Sequence, residues 1–440
     1  MNYETHSDSV LKGITDLPSG PKHFLVFTAV NLISWQCVVG QAMVLFGRAI
    51  GMPASWIGVL ISFLPLSLLL VIISIPAVES YGPRKMLIRT WLARNLLASL
   101  VFIIPGAIPL WGHRSAWYIL IIATLGFSLA RSLGVGAWYP WIHEIVPQKM
   151  LGAYFSAETI LVQIINVALT FVIAYVLNQG TGLNRFYWVY FIGIFAGLAS
   201  IGFMRRIPGG VGVRSVRLPT SGRFSRLVRA FKDKSYRWFI LNAIISASSI
   251  SWISASNILY LRDMLFYSDS TIMYIVAAGA FFSAFTVLFW KRYPETVKIN
   301  GTLALLITGH SLITFLWCAL IHGAKWTPHL SVAAVLGNAV FSSIFSVTVS
   351  RGMMCLVKTE ERVGYTSLWV IGMAFSNGIP PILVGLLIDL FHLDGFRACF
   401  LISSGIGLFS ALLWGLMPAD KIQQGKINEP VKSRSKIHQG

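Results

Sequence analysis

The sequence has little charge. Only 12% of its 440 residues are Asp, Glu, Lys or Arg, against 55% hydrophobic, and the mean hydropathy is +0.70. A soluble domain carries about a quarter charged residues. A chain of this length and composition cannot cover a water-facing surface, so lipid must be its main solvent. Acids are scarcer than bases, 16 against 35. None lies near the middle of an apolar run: Glu158 opens the fifth run and Asp389 ends the eleventh. A buried carboxylate relay for protons is therefore not visible.

Other absences narrow the function. Cys37, Cys318, Cys355 and Cys399 sit in or beside apolar runs with no CxxC spacing, which reads as small core residues with neither a disulfide nor a metal site. A membrane enzyme needs acid/base or metal groups clustered at one interface, and no such His/Asp/Glu spacing occurs. No Gly-x-x-x-x-Gly-Lys-Ser/Thr loop is present, which argues against a nucleotide-driven pump, and no cofactor motif appears. The first run is too long for a signal-peptide core, and eleven more follow it. The tails, 1–23 and 418–440, leave little room for the extramembrane domain of a sensor or scaffold, although that alternative stays open.

What is present is a series of long apolar runs. A helix needs roughly 20 apolar residues to cross the hydrocarbon core, and backbone in lipid must satisfy its own hydrogen bonds. The runs predict spans near 24–47, 56–78, 90–111, 116–142, 157–177 and 186–204, then 238–261, 271–290, 299–320, 329–350, 366–389 and 397–417. The expected fold class is an all-α membrane protein of twelve helices.

The net charge of +19 could suggest nucleic acid, but its distribution argues for a membrane surface. Sorting by alternate loops puts 27 of the 35 Lys and Arg on one side, six on the other, and Arg94 and Arg131 inside spans. That asymmetry places both termini in the cytoplasm, with the basic surplus facing anionic headgroups. The expected location is a plasma or bacterial inner membrane. The oligomeric state is open, and a monomer is compatible with the sequence.

Residues 205–237 hold ten Lys/Arg and one acid, Asp233, and divide the chain into bundles at 24–204 and 238–417. One offset of 211 residues aligns the two: Asn31 with Asn242, Gly126 with Gly337, Val146 with Val357, Tyr154 with Tyr365, and Asn166 with Asn377. Across 123–156 it gives seven identities in 34 positions. Internal repeats with a site near the midplane are a common plan for transporters.

The loop after the second span carries Glu79-Ser80-Tyr81-Gly82-Pro83-Arg84-Lys85. It resembles the major facilitator superfamily signature Gly-x-x-x-Asp-Arg-x-Gly-Arg-Arg, with Glu79 for the Asp, and Gly82 and Arg84 matching. Ile75, Ser80 and Pro83 depart from it. Trp138-Tyr139-Pro140-Trp141-Ile142-His143-Glu144-Ile145-Val146-Pro147, followed by Gly152-Ala153-Tyr154-Phe155, is similar to a Trp-rich end of the fourth helix in many bacterial members. The drug-exporter Gly-x-x-x-Gly-Pro and sugar-porter Pro-Glu-Ser-Pro-Arg patterns are missing. The resemblance implies two pseudo-symmetric six-helix bundles and transport of a small solute by alternating access. It also implies a gate at Glu79, Gly82, Arg84 and Lys85, in which the acid pairs across the seam with the other bundle.

By the same resemblance the first, fourth, seventh and tenth helices line the cavity, which nominates Trp35, Gln36, Arg131, Trp252 and Asn338, with Asn166 and Asn377 from the repeat. Arg131 stands out, because a central Arg costs about 3 kcal/mol on insertion scales and usually faces a cavity or a partner. Guanidinium binds carboxylate or phosphate bidentately, so an organic anion is the favoured substrate class. Capping of carbonyls or pairing with Asn166 is the structural alternative. Arg94 reads as a snorkelling side chain, His310 as structural, and the serines of the seventh span as packing groups.

Overall fold

The computed structural model describes residues 17–211, 221–290, 299–357 and 362–417. Residues 1–16 of the expected N-terminal tail 1–23, the expected C-terminal tail 418–440, and 212–220 of the linker lie outside them. Among the described residues all regular structure is helical. Ten stretches are long and apolar enough to cross a membrane, from Ser19–Ala49 to Gly364–Leu416. The expected second span is shorter and broken: Ala54–Ser67 passes through a tighter turn at Leu68–Leu70 into Val71–Tyr81. Pro65 sits just before that turn and removes a backbone donor from the helix. The expected eleventh and twelfth spans run as one helical stretch, Arg362–Leu416, that turns at His392, where φ is +49°.

In the first half, the first span packs on the fifth and sixth, and the fourth on the second and third. In the second half, the seventh and ninth pack on the last helical stretch, and the tenth on the eighth and ninth. The offset of 211 recurs in this packing. Gly126 lets the fourth span close on Leu97 of the third, and Gly337 lets the tenth close on Ile313 of the ninth. Ser132 bonds Ser67 at 2.7 Å, and its equivalent Ser343 bonds Ser283 at 2.5 Å.

The halves meet along two seams, the second span against the eleventh and the fifth against the eighth. In the first seam Gly58 lies on the carbonyl of Pro381, and Gly385 on the backbone of Ala54 and Ser55. Lipid gives helices no hydrophobic reason to associate, so close backbone approach at small residues supplies the packing. Large apolar side chains such as Phe281, Phe285, Phe289, Leu408 and Leu412 point outward. Such an outer surface suits hydrocarbon and not water. The chain is an integral multi-pass membrane protein.

Candidate functional site

Four of the expected residues come together in the first half. Trp35 and Gln36 lie on the first span, Arg131 on the fourth and Asn166 on the fifth, all half-buried. The Arg131 guanidinium sits 5.9 Å from the centre of the Trp35 ring. Gln36 donates to Oδ1 of Asn166, so Asn166 is engaged by Gln36 and not by Arg131. The indole N–H of Trp35 is buried without a partner. The fifth span starts at Leu151, ahead of the expected 157, which puts Glu158 about two turns inside it. Its carboxylate accepts from the Thr28 hydroxyl at 3.3 Å. Glu158 thus lies within the fifth helix and not at its start.

Arg94 does not snorkel. It is 0% exposed, and its guanidinium lies 4.3 Å from the Trp91 ring and 4.9 Å from the Phe127 ring. Nη2 donates to Asn31 Oδ1 at 2.6 Å, while Nε and Nη1 have no partner. Its stem is too deep in the bundle to reach an interface, because Trp91 and Phe127 close over it. The two arginines differ in how they are compensated. A desolvated cation–π contact contributes about 2 kcal/mol and a hydrogen bond to a charged group about 1.5–3 kcal/mol. Two rings and Asn31 thus offset most of the cost of placing Arg94 in the membrane, about 3 kcal/mol. Arg131 has one ring at the limit of useful distance and no described hydrogen bond. Among the described residues neither arginine meets a carboxylate, and Arg131 is the less compensated of the two.

The second half is different. Asn338 is 6% exposed and donates to Thr314 Oγ1 at 3.0 Å, so it faces the ninth span. Trp252 is 6% exposed and packs into the apolar core. Asn377 donates to the Met373 carbonyl of its own helix at 2.8 Å, and its backbone carbonyl accepts from Ser251. Asn338 and Asn377 do not gather with the first-half residues in any described contact, whereas Trp252 belongs to an apolar cluster against which Trp35 also packs. The seventh-span serines are packing groups, as expected. Ser246 pairs with Ser410 at 2.6 Å and Ser249 donates to the Ser403 carbonyl at 2.7 Å. His310 is 1% exposed, and neither ring nitrogen has a partner.

The expected gate motif builds a turn and a clasp. Gly82 adopts φ +81°, a conformation that disfavours any side chain, and Pro83 opens the third span. Arg84 does not reach the other bundle. Its backbone N–H donates to the Gly210 carbonyl at 3.2 Å and its guanidinium to the Arg205 carbonyl at the end of the sixth span. Lys85 is exposed. The Glu79 side chain lies outside the described residues, so its expected pairing does too. The Trp-rich motif completes the clasp: Trp141 donates to the Pro208 carbonyl, and Glu144 accepts from Gly210 N–H, both at 2.9 Å. Together these residues hold the start of the linker.

Among the described residues, the contacts that join the halves by charge lie at the opposite end from the linker. Arg48 pairs with Asp263 at 2.7 Å and Arg185 with Asp269 at 2.6 Å, while Arg262 holds the other oxygen of Asp269 at 2.9 Å. Asp389 accepts from the N–H groups of Ala54 and Ser55 at 2.9 and 2.8 Å, at the N-terminus of the second span, where the helix dipole favours an anion. At the linker end, by contrast, a crevice of about 430 Å³ separates the halves. Phe155, Ser156 and Thr159 line it from one side, and Val287, Ser346, Ser350 and Arg351 from the other. The far-end latch joins residues far apart in the chain, Arg48 to Asp263 and Arg185 to Asp269, and no local pattern announces it.

No protein-family model and no curated protein sequence matches the chain. Solved structures do. A mutant form of the nucleoside transporter NupG is 11% identical with a TM-score of 0.69, covering 90% of this chain and 98% of that one. A POT family transporter in complex with 5-aminolevulinic acid is 13% identical, TM-score 0.68, covering 92% and 97%. A bacterial homologue of the human lysosomal transporter Spinster, inward-facing and unoccupied, is 14% identical, TM-score 0.64, covering 92% and 97%. The chain has the fold of the major facilitator transporters. Identities this low establish the architecture alone.

Proposed function

We propose that this protein is a secondary-active or facilitative carrier that moves a small organic anion across the membrane by alternating access. The bundles 24–204 and 238–417 would be the rocking units, joined by the linker 205–237. Both termini and the linker would be cytoplasmic, as the basic asymmetry requires. In that orientation the far-end latch closes the outer side, and the linker-end crevice opens inward. Breaking a few ion pairs at one end and making contacts at the other is the kind of bistability that alternating access needs.

The observation that carries the substrate class is Arg131. It is half-buried with its guanidinium over the Trp35 ring, and no described carboxylate pairs with it. A carboxylate or phosphate bound there would make the bidentate hydrogen bonds that its fork geometry favours. Trp35, Gln36 and Asn166 would form the neutral wall around it. The test is uptake into proteoliposomes of labelled mono- and dicarboxylates and phosphate esters, beside neutral sugars and nucleosides. Saturable uptake of an anion that competes only with other anions supports the reading. Uptake of a neutral solute unaffected by Arg131→Gln contradicts the substrate class. Ligand binding with no uptake of any solute contradicts transport, and favours a sensor on a carrier fold.

A further inference from the structure

A second cavity lies away from the seam between the halves. It is a groove of about 610 Å³ on the outer face of the second half, between the seventh span and the last. Trp238, Leu241 and Ile245 form one wall, and Phe409, Leu413 and Leu416 the other. Lys234 stands at its linker end. From Lys234 to Ile245 the groove follows about eleven residues of helix, about 16 Å. That is about half of the ~30 Å hydrocarbon core, the depth of a single leaflet.

The linker end of the groove is basic. Lys234 lines it and is exposed, with the exposed Lys232 two residues before it and Arg237 one turn on, over the Phe231 ring at 5.9 Å. The Asp233 carboxylate is turned inward, accepting from the N–H groups of Ser235 and Tyr236 and from the Tyr365 hydroxyl. The exposed Trp238 sits at the same level, where an indole suits the headgroup boundary. A cationic rim above an apolar slot one leaflet deep matches one kind of molecule, a lipid with a negatively charged headgroup.

We propose that this groove is a binding site for one anionic phospholipid of the linker-side leaflet. Its phosphate would meet Lys234, with Lys232 and Arg237 behind it, and one acyl chain would lie between Leu241 and Leu413. The segment after Met417 reads Pro-Ala-Asp-Lys-Ile-Gln-Gln-Gly, too polar to fill an apolar slot. A second copy of the chain would bury Lys232 and Lys234 against their own equivalents, which like charge disfavours. The site is independent of Arg131 and of the transport reading.

Native mass spectrometry of the detergent-purified full chain tests it, with phosphatidylglycerol and phosphatidylcholine supplied at equal concentration. The expected result is one phosphatidylglycerol retained per monomer, preferred over phosphatidylcholine by at least about fivefold, the factor one cation near a membrane surface contributes. Lys234→Glu should bring the two lipids close to parity. Leu413→Trp, which fills the slot, should remove both. Equal retention of the two lipids by the wild type overturns the proposal. So does a preference that survives both variants, displacement of the lipid by soluble glycerol phosphate, or a lipid-free dimer.

Discussion

Asn31 and Asn242 occupy equivalent positions in the two bundles, and they serve different neighbours. Asn31 accepts from Trp91 and from the guanidinium of Arg94. Asn242 accepts from the Ser410 hydroxyl, which also bonds Ser246, itself bonded by the Trp414 indole. In the second half small neutral groups satisfy one another and close the bundle. In the first half two cations lie within a shell that one amide and three aromatic rings only partly complete. A repeated fold thus carries one half closed by neutral groups and one that holds two arginines within its spans with no described carboxylate partner. The proposed anion site draws on that difference.

The largest expected effect comes from removing that asymmetry. Arg131→Gln should lower anion uptake by roughly ten- to hundredfold, the range expected for a charge-assisted bidentate contact of about 1.5–3 kcal/mol. Protein yield and thermal stability should hold, because Arg131 has no described hydrogen bond to lose. A collapse of folding in place of uptake would assign Arg131 to the framework.

The latch between the halves comes next. Arg48 and Asp263 are partly exposed, at 25% and 15%, so their pair is worth about 0.2–1 kcal/mol. Arg48→Ala should shift the balance between the two closed ends by at most about fivefold. The readout is the rate of thiol labelling at Ser55→Cys, with the exposed Cys355 replaced by Ser. Faster labelling at the far end is expected, and an unchanged rate would mean the latch does not set the resting state.

Arg94 sharpens the contrast within the first half. Replacing a buried charge by a well-packed apolar group is often neutral or stabilising. Arg94→Leu should therefore change thermal stability little and anion affinity by less than about threefold, since Arg94 is largely compensated by Trp91, Phe127 and Asn31. An effect as large as that of Arg131→Gln would place both arginines on the solute.

The smallest effects belong to neutral groups. Ser246→Ala should cost about 0.6 kcal/mol of stability, an average interhelical hydrogen bond in a membrane, and leave uptake unchanged. Glu158→Gln should leave anion uptake within about twofold, and uptake should not require a proton gradient. Uphill uptake driven by such a gradient, and lost in Glu158→Gln, would make Glu158 the coupling group.

The sequence made the spans legible because each must satisfy its backbone within an apolar run, and that signal is local. The division of the chain at 205–237 rests on the sequence, since ten cations there cannot sit in lipid. Span edges were less clear. The fifth helix begins at Leu151, among polar and small residues, which hid how far inside Glu158 lies. Arg131 beside Trp35 was within reach of a sequence reading, since both stand near mid-depth of spans expected to line a cavity. The burial of Arg94 was not, because only tertiary contact reveals the two rings that enclose it. The gate was expected at Glu79, Gly82, Arg84 and Lys85, with the acid pairing across the seam; the Glu79 side chain lies outside the described residues, and the described charge pairs between the halves join Arg48 to Asp263 and Arg185 to Asp269. Pairings that distant in sequence carry no periodicity or motif.

Whether the first half holds an anion is tested most directly by binding to Arg131. Once a ligand emerges from a thermal-shift screen of anionic and neutral metabolites, calorimetry with the wild type, Arg131→Lys and Arg131→Gln gives the answer. Lys keeps the charge and loses the fork, so affinity for an anion should fall in the order Arg, Lys, Gln, with a clear step at each change. Undiminished affinity in Arg131→Gln, or a neutral ligand that binds all three alike, would contradict the account.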